Sequence, residues 1–122
     1  MKTNNIIQQK SYAFALRTIK LYKYLCDNKK EFVLSKQILR SGTSIGANIE
    51  EAIGAQSARD FYAKLSIAYK EARETHYWLR LLRDSEWLTD EEILSILADC
   101  EELLKIIGSI QKALKNKDAT RL

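Results

Sequence analysis

Apolar residues recur at spacings of three, four and seven in four separate runs, each closed by a polar or small-residue break, and this periodicity predicts four helices. The first is expected over about residues 6–27, with Ile7, Phe14, Thr18, Leu21 and Leu25 on its inward stripe. Lys10, Ala13, Arg17, Lys20 and Tyr24 run beside that stripe as a basic line. The polar run Asp27–Glu31 then makes a short helix–helix connection. The second helix is expected over about residues 35–54, with Ser35 as N-cap and Leu34 and Leu39 placed as a hydrophobic staple. Gly54 is placed to close it in a left-handed conformation. Ser57, with Asp60 three residues on, starts a third helix over about residues 57–84, whose core stripe is Phe61, Leu65, Ala68, Ala72, Thr75, Leu79 and Leu82. Thr89-Asp90-Glu91-Glu92 is a capping box flanked by the staple pair Leu88 and Ile93, and it opens a fourth helix over about residues 89–115. The polar, basic ending after Leu114 reads as a frayed tail. Four helices with short connections predict one domain over residues 1–122, an all-α antiparallel up-down four-helix bundle.

One stretch breaks the simple apolar pattern. Within Ser41–Ala52 the residues Ile38, Gly42, Ile45, Ile49 and Ala52 share a helical face, and Ser41, Ser44, Asn48 and Glu51 form a polar line beside it. The chain has no Pro and four Gly, two of them in this stretch. Gly costs a helix interior about 1 kcal/mol relative to Ala, so close approach of another backbone is the expected compensation. The polar line has two readings: a hydrogen-bonded line that sets helix register or a subunit boundary, and a ligand-binding line.

Charge sharpens the picture. Net charge is +4, but residues 1–40 hold nine Lys/Arg against two acids, whereas residues 41–122 hold eleven against fourteen. Seven acids and no Lys or Arg fall between Ser85 and Leu104. Such polarity suits either a nucleic-acid-facing end or complementary surfaces that meet in an assembly. There is no signal-peptide pattern and no apolar run long enough to span a bilayer, so a cytoplasmic location without membrane attachment is expected. Cys26 and Cys100 form neither a CxxC motif nor a metal site and read as buried free thiols.

Catalysis finds little support, and no enzyme activity, cofactor or metal is expected. The single histidine, His76, has no partner for a paired-histidine metal site and reads as a packing or hydrogen-bonding residue. Glu74 and His76 are two residues apart, not the three of an inward-facing di-iron motif. Gly42-Thr43-Ser44-Ile45-Gly46 lacks the Gly-Lys-Ser/Thr ending of a phosphate loop. What remains is basic surface. On the third helix Arg59, Lys70, Arg73, Tyr77 and Arg80 fall within an arc of about 80°, and no acid between Arg59 and Arg80 shares it. With Lys10, Arg17, Lys20 and Lys23 of the first helix, these are the candidate phosphate-binding residues; the alternative is a solvated helix face.

The run from Gln37 to Glu51 (QILRSGTSIGANIEE) carries a further signal, as do Asp60–Ala72 (DFYAKLSIAYKEA), Glu74–Leu79 (ETHYWL), and Tyr12, Ala13 and Leu21. On these residues the chain resembles the bacterial four-helix-bundle family that includes the proteins encoded in intervening sequences of 23S ribosomal RNA genes. It departs from the common pattern at Ala52, where that family usually has Gly, and at Ala55-Gln56, where a basic residue is frequent. The resemblance implies a homopentameric ring of four-helix protomers. It also points to a relative, the accessory variability determinant of diversity-generating retroelements, which partners a reverse transcriptase and binds nucleic acid through a basic surface. In such a ring the basic first helix is expected to face a neighbour's acidic Ser85–Leu104 region, and Ser41, Gly42, Ser44, Ile45, Asn48, Ile49 and Glu51 are the expected structural and assembly residues. The functional expectation is a non-catalytic oligomer binding RNA or DNA phosphates with little sequence selectivity. The alternative is a scaffold that recruits a protein partner and has no nucleic-acid affinity.

Overall fold

A computed structural model of the chain describes residues 2–119, with side chains over residues 5–117. Among the described residues there are four α-helices and no strand: α1 (Lys2–Tyr24), α2 (Leu34–Ile53), α3 (Ala58–Asp84) and α4 (Asp90–Ala119). Each helix packs on its neighbours in chain order, and α1 and α4 close the bundle. Residues 120–122 of the expected frayed tail lie outside the described residues, and α4 itself runs past the expected end near residue 115.

The inward stripes meet as the periodicity requires. Ile7, Phe14 and Leu25 from α1 and the turn after it, Ile38, Ile45 and Ile49 from α2, Leu65, Leu79 and Leu82 from α3, and Ile93, Leu103 and Ile107 from α4 are the largest fully buried side chains. Leu21 and Phe61 pack on this core while only partly buried. Ser11, absent from the expected stripe, is fully buried against α2.

The close approach expected at the α2 glycines is made by α1. A Cβ on Gly42 would lie 2.6 Å from Thr18 Cγ2 and 2.7 Å from its Oγ1, and Thr18 is itself wholly buried. A Cβ on Gly46 would sit 3.3 Å from the backbone oxygen of Ser11. The missing side chains therefore set the α1–α2 separation.

Helix ends depart from expectation in three places. α1 does not stop at Asp27 but widens into a π-helical turn, Leu25–Lys29, closed by Lys30 in a left-handed conformation (φ 56°). Ser35 is not the N-cap of α2. Glu31 takes that role at a distance: its carboxylate accepts from the backbone N–H groups of Val33, Leu34 and Ser35 at 3.3, 3.0 and 2.7 Å. Ser35 instead lies inside the first turn, its hydroxyl donating to the Glu31 carbonyl at 2.8 Å. Gly54 is not left-handed (φ −85°, ψ 7°), because its N–H and that of Ala55 bond back to the Glu50 and Ala52 carbonyls in an ordinary right-handed turn. The left-handed residue elsewhere is Glu86, in the connection between α3 and α4.

The other two helix starts form as read. The Ser57 hydroxyl accepts from Asp60 N–H at 3.0 Å. Thr89 N–H donates to Glu92 Oε1 at 2.9 Å while Glu92 N–H reaches the Thr89 hydroxyl at 3.3 Å, the reciprocal pair of a capping box. No helix among the described residues is long and apolar enough to cross a membrane.

Candidate nucleic-acid interface

The basic line of α1 and the acidic stretch of α4 lie side by side in the same chain. Lys10 Nζ is 3.1 Å from Glu102 Oε1, Arg17 Nη1 is 2.6 Å from Asp99 Oδ2, and Lys29 Nζ is 3.9 Å from Glu92 Oε2. The Tyr24 hydroxyl also donates to Glu92. The Thr89 backbone N–H, then that Tyr24 hydroxyl, hold the Glu92 carboxyl below its ordinary range. Part of the basic charge expected to meet a neighbour's acidic region is paired within the chain itself, because α1 and α4 are adjacent in the bundle. Of the four candidate cations on α1, Lys10 and Arg17 are engaged in this way, while Lys20 and Lys23 are exposed and form no ion pair among the described residues.

The α3 arc is different. Arg59, Lys70, Arg73, Tyr77 and Arg80 are all exposed, and none of the four cations has an ion pair among the described residues. Arg80 lies over the Tyr77 ring, 5.9 Å from its centroid, and Trp78 meets that ring edge-on at 5.1 Å. One turn beyond Arg80 the arc ends in an acid, Asp84. Arg83 bonds it at 2.8 Å, and this bond, with a smaller pull from Arg80, sets its carboxyl below the usual range.

Beside this arc an open groove of about 1060 Å³ runs between α3 and α4. Tyr69, Arg73, Tyr77 and Arg80 line its α3 side, and Lys105 and Leu104 its α4 side. Three carboxylates also border it, and each has a partner. His76 Nε2 is 3.0 Å from Glu101 Oε2, Lys10 pairs with Glu102, and Glu74 accepts from Arg40 and from Trp78 Nε1. Lys105 was not among the residues expected from sequence. Its place opposite Arg73 depends on the rotation of α4 against α3, which no local pattern encodes.

The polar line of α2 divides by depth. Ser41, Gly42, Ile45 and Ile49 are buried inside the protomer, so they do not face a subunit boundary. The Thr75 hydroxyl lies 2.8 Å from both Ser41 Oγ and the Glu71 carbonyl, tying α2 to α3. Ser44 and Asn48 are half-buried and meet each other, the Asn48 amide donating to the Ser44 carbonyl at 2.9 Å. Glu51 is exposed and pairs with Lys64 at 3.0 Å.

Among the described residues no cluster of His, Cys, Asp or Glu is arranged to hold a metal ion. Cys100 is fully buried, its thiol pushed up to about 12 by burial and then by Glu101, and Cys26 is half-buried; both are free.

The fold and this surface define an all-α four-helix-bundle protein with a charged, aromatic-bordered groove on one side. Residues 3–109 match the family described as 23S rRNA-intervening sequence protein, and the chain belongs to that family. A crystal structure of a protein of unknown function from the S23 ribosomal protein family of Bacteroides thetaiotaomicron is similar over 90% of this chain and 98% of its own, with 55% identity and a TM-score of 0.88. No curated protein matches the chain.

Proposed function

We propose that this protein is a non-catalytic, oligomeric nucleic-acid-binding protein of the cytoplasm, and that α3 carries the binding face for RNA or DNA phosphates, with little base selectivity. The observation that carries this reading is the contrast between the two basic helices. Lys10 and Arg17 of α1 already face carboxylates of α4, whereas Arg59, Lys70, Arg73 and Arg80 of α3 are exposed and have no ion pair among the described residues. Cations in that state can exchange counterions for phosphates without first breaking an ion pair. Lys20 and Lys23 extend the set on α1.

Binding of labelled RNA and DNA at two salt concentrations tests this. Log affinity should fall against log salt with a slope of about −0.7 to −0.9 per phosphate neutralised. Arg73→Glu with Arg80→Glu should weaken binding more than ten-fold without changing the native mass. Affinity that ignores both salt and the double reversal would refute the reading.

A second reading rests on a different observation. Tyr12, Leu16 and Ile19 form an exposed apolar line on α1, bordering a shallow depression with Gly46 and Ala47 of α2. This surface supports assembly into a ring, the expected pentamer, or recruitment of a protein partner by a scaffold with no nucleic-acid affinity. Native mass spectrometry separates the two: Leu16→Glu should reduce a pentamer to monomers, while a mass unchanged by that substitution leaves the surface to a different protein.

A further inference from the structure

From the groove between α3 and α4 we infer a single-strand-specific site, in which an RNA or DNA strand lies with its phosphates on Arg73, Arg80 and Lys105 and a base stacked on Tyr77. This deepens the phosphate-binding reading above and rests on it. The α3 arc alone would suit any polyanion, duplex included, since only backbone charge is contacted. The groove adds an aromatic platform that a duplex cannot use, and room for a strand between cations of two helices.

The first is an aromatic platform. Tyr77 is 48% exposed although it is a large ring in the middle of a long helix. Arg80 lies over the ring and Trp78 braces it edge-on, so the ring is held in place while nearly half its surface stays open. Exposed aromatics interleaved with cations are what a single strand engages, because its bases present free π-faces; in a duplex those faces are stacked inside. Tyr69, half-buried, lines the same groove.

The second is shape with charge. At about 1060 Å³ the groove is just above the range of about 300–1,000 Å³ typical of small-ligand pockets, so it has room for more than one nucleotide. Of its three bordering carboxylates, Glu102 pairs with Lys10 and Glu74 with Arg40, and Glu101 is hydrogen-bonded to His76. Arg73, Arg80 and Lys105 have no ion pair among the described residues, and they flank the groove from both helices. Arg73 and Arg80 are seven residues apart on α3, about 10 Å along the axis, with Tyr77 between them.

Fluorescence anisotropy of the protein tests the inference. The probes are oligothymidylate and oligouridylate of about 12 nucleotides, within the range of about 4–16 for single-strand sites, and a duplex of the same length. Titrations at about 50 and about 200 mM salt separate charge from stacking. One or both single strands should bind more tightly than the duplex. Tyr77→Leu should lower single-strand affinity by about five- to a hundred-fold, leave duplex affinity and the salt slope unchanged, and be rescued by Tyr77→Phe. Salt-sensitive binding in which Tyr77→Leu has no effect, or in which the duplex binds as tightly as both strands, would overturn the single-strand site and leave the phosphate-binding reading intact. Absence of binding by all three probes at the lower salt would overturn both.

Discussion

At the scale of single residues, burial decides chemistry more than residue type does. Two cysteines of similar sequence setting have different fates. Cys100 is enclosed by the core, 3.4 Å from the Ala72 carbonyl, and burial holds its thiol protonated, its pKa pushed up to about 12. Cys26 is half-buried at the π-helical turn. Thiolate is the reactive form, so at pH 8 a thiol reagent should label Cys26 in the folded protein and reach Cys100 only on unfolding. Equal labelling rates at both positions by peptide mass mapping would contradict this. The periodic pattern places Cys100 among core residues correctly. It places Glu31 in a mere connection, although that side chain is 6% exposed and collects three backbone N–H groups at the start of α2. A carboxylate that caps from three residues upstream of the helix is not an N-cap pattern, so local reading assigns the cap to the nearest serine.

At the scale of elements, the α1–α2 pair shows how a glycine can be worth more than its propensity. Replacing an exposed helical Gly by Ala gains up to about 1 kcal/mol. At Gly108 the added Cβ would meet only Tyr69 Cε2, at an ordinary 3.7 Å, so Gly108→Ala should raise stability by about 0.5–1 kcal/mol. At Gly42 the same methyl would be driven into the buried, β-branched Thr18, which has no free rotation with which to withdraw. Gly42→Ala should therefore lower stability by about 1–3 kcal/mol despite its better propensity. Urea melts of the two variants should give opposite signs, and a stabilised Gly42→Ala would mean that the helices can separate at little cost. That α2 contains a close approach is legible from the small-residue run; that α1 is the approaching helix and Thr18 the contact is not.

At the scale of the whole molecule, the charge asymmetry of the sequence resolves in part inside the chain, through ion pairs between α1 and α4. Arg17 and Asp99 form a half-exposed pair between α1 and α4, and such pairs are worth about 0–1 kcal/mol. Arg17→Glu should cost on the order of 1 kcal/mol, Asp99→Lys in the same chain should restore most of it, and neither should alter the native mass. Loss of mass on Arg17→Glu would instead show that this region bridges subunits.

The sequence by itself determines the number of helices, their core stripes, two of the three helix starts and the family, because each depends on residues close along the chain. Helical period, capping and composition are local properties and need no knowledge of neighbours. Which cations are free, which glycine is crowded, and which acid faces Lys10 are set by the rotation and order of the helices in the bundle. Lys10 and Glu102 are 92 positions apart, yet their charged atoms lie 3.1 Å apart. Arg73 and Lys105 border one groove only because α3 and α4 pack side by side. Those relations come from burying four stripes in one core, and only the tertiary structure decides them.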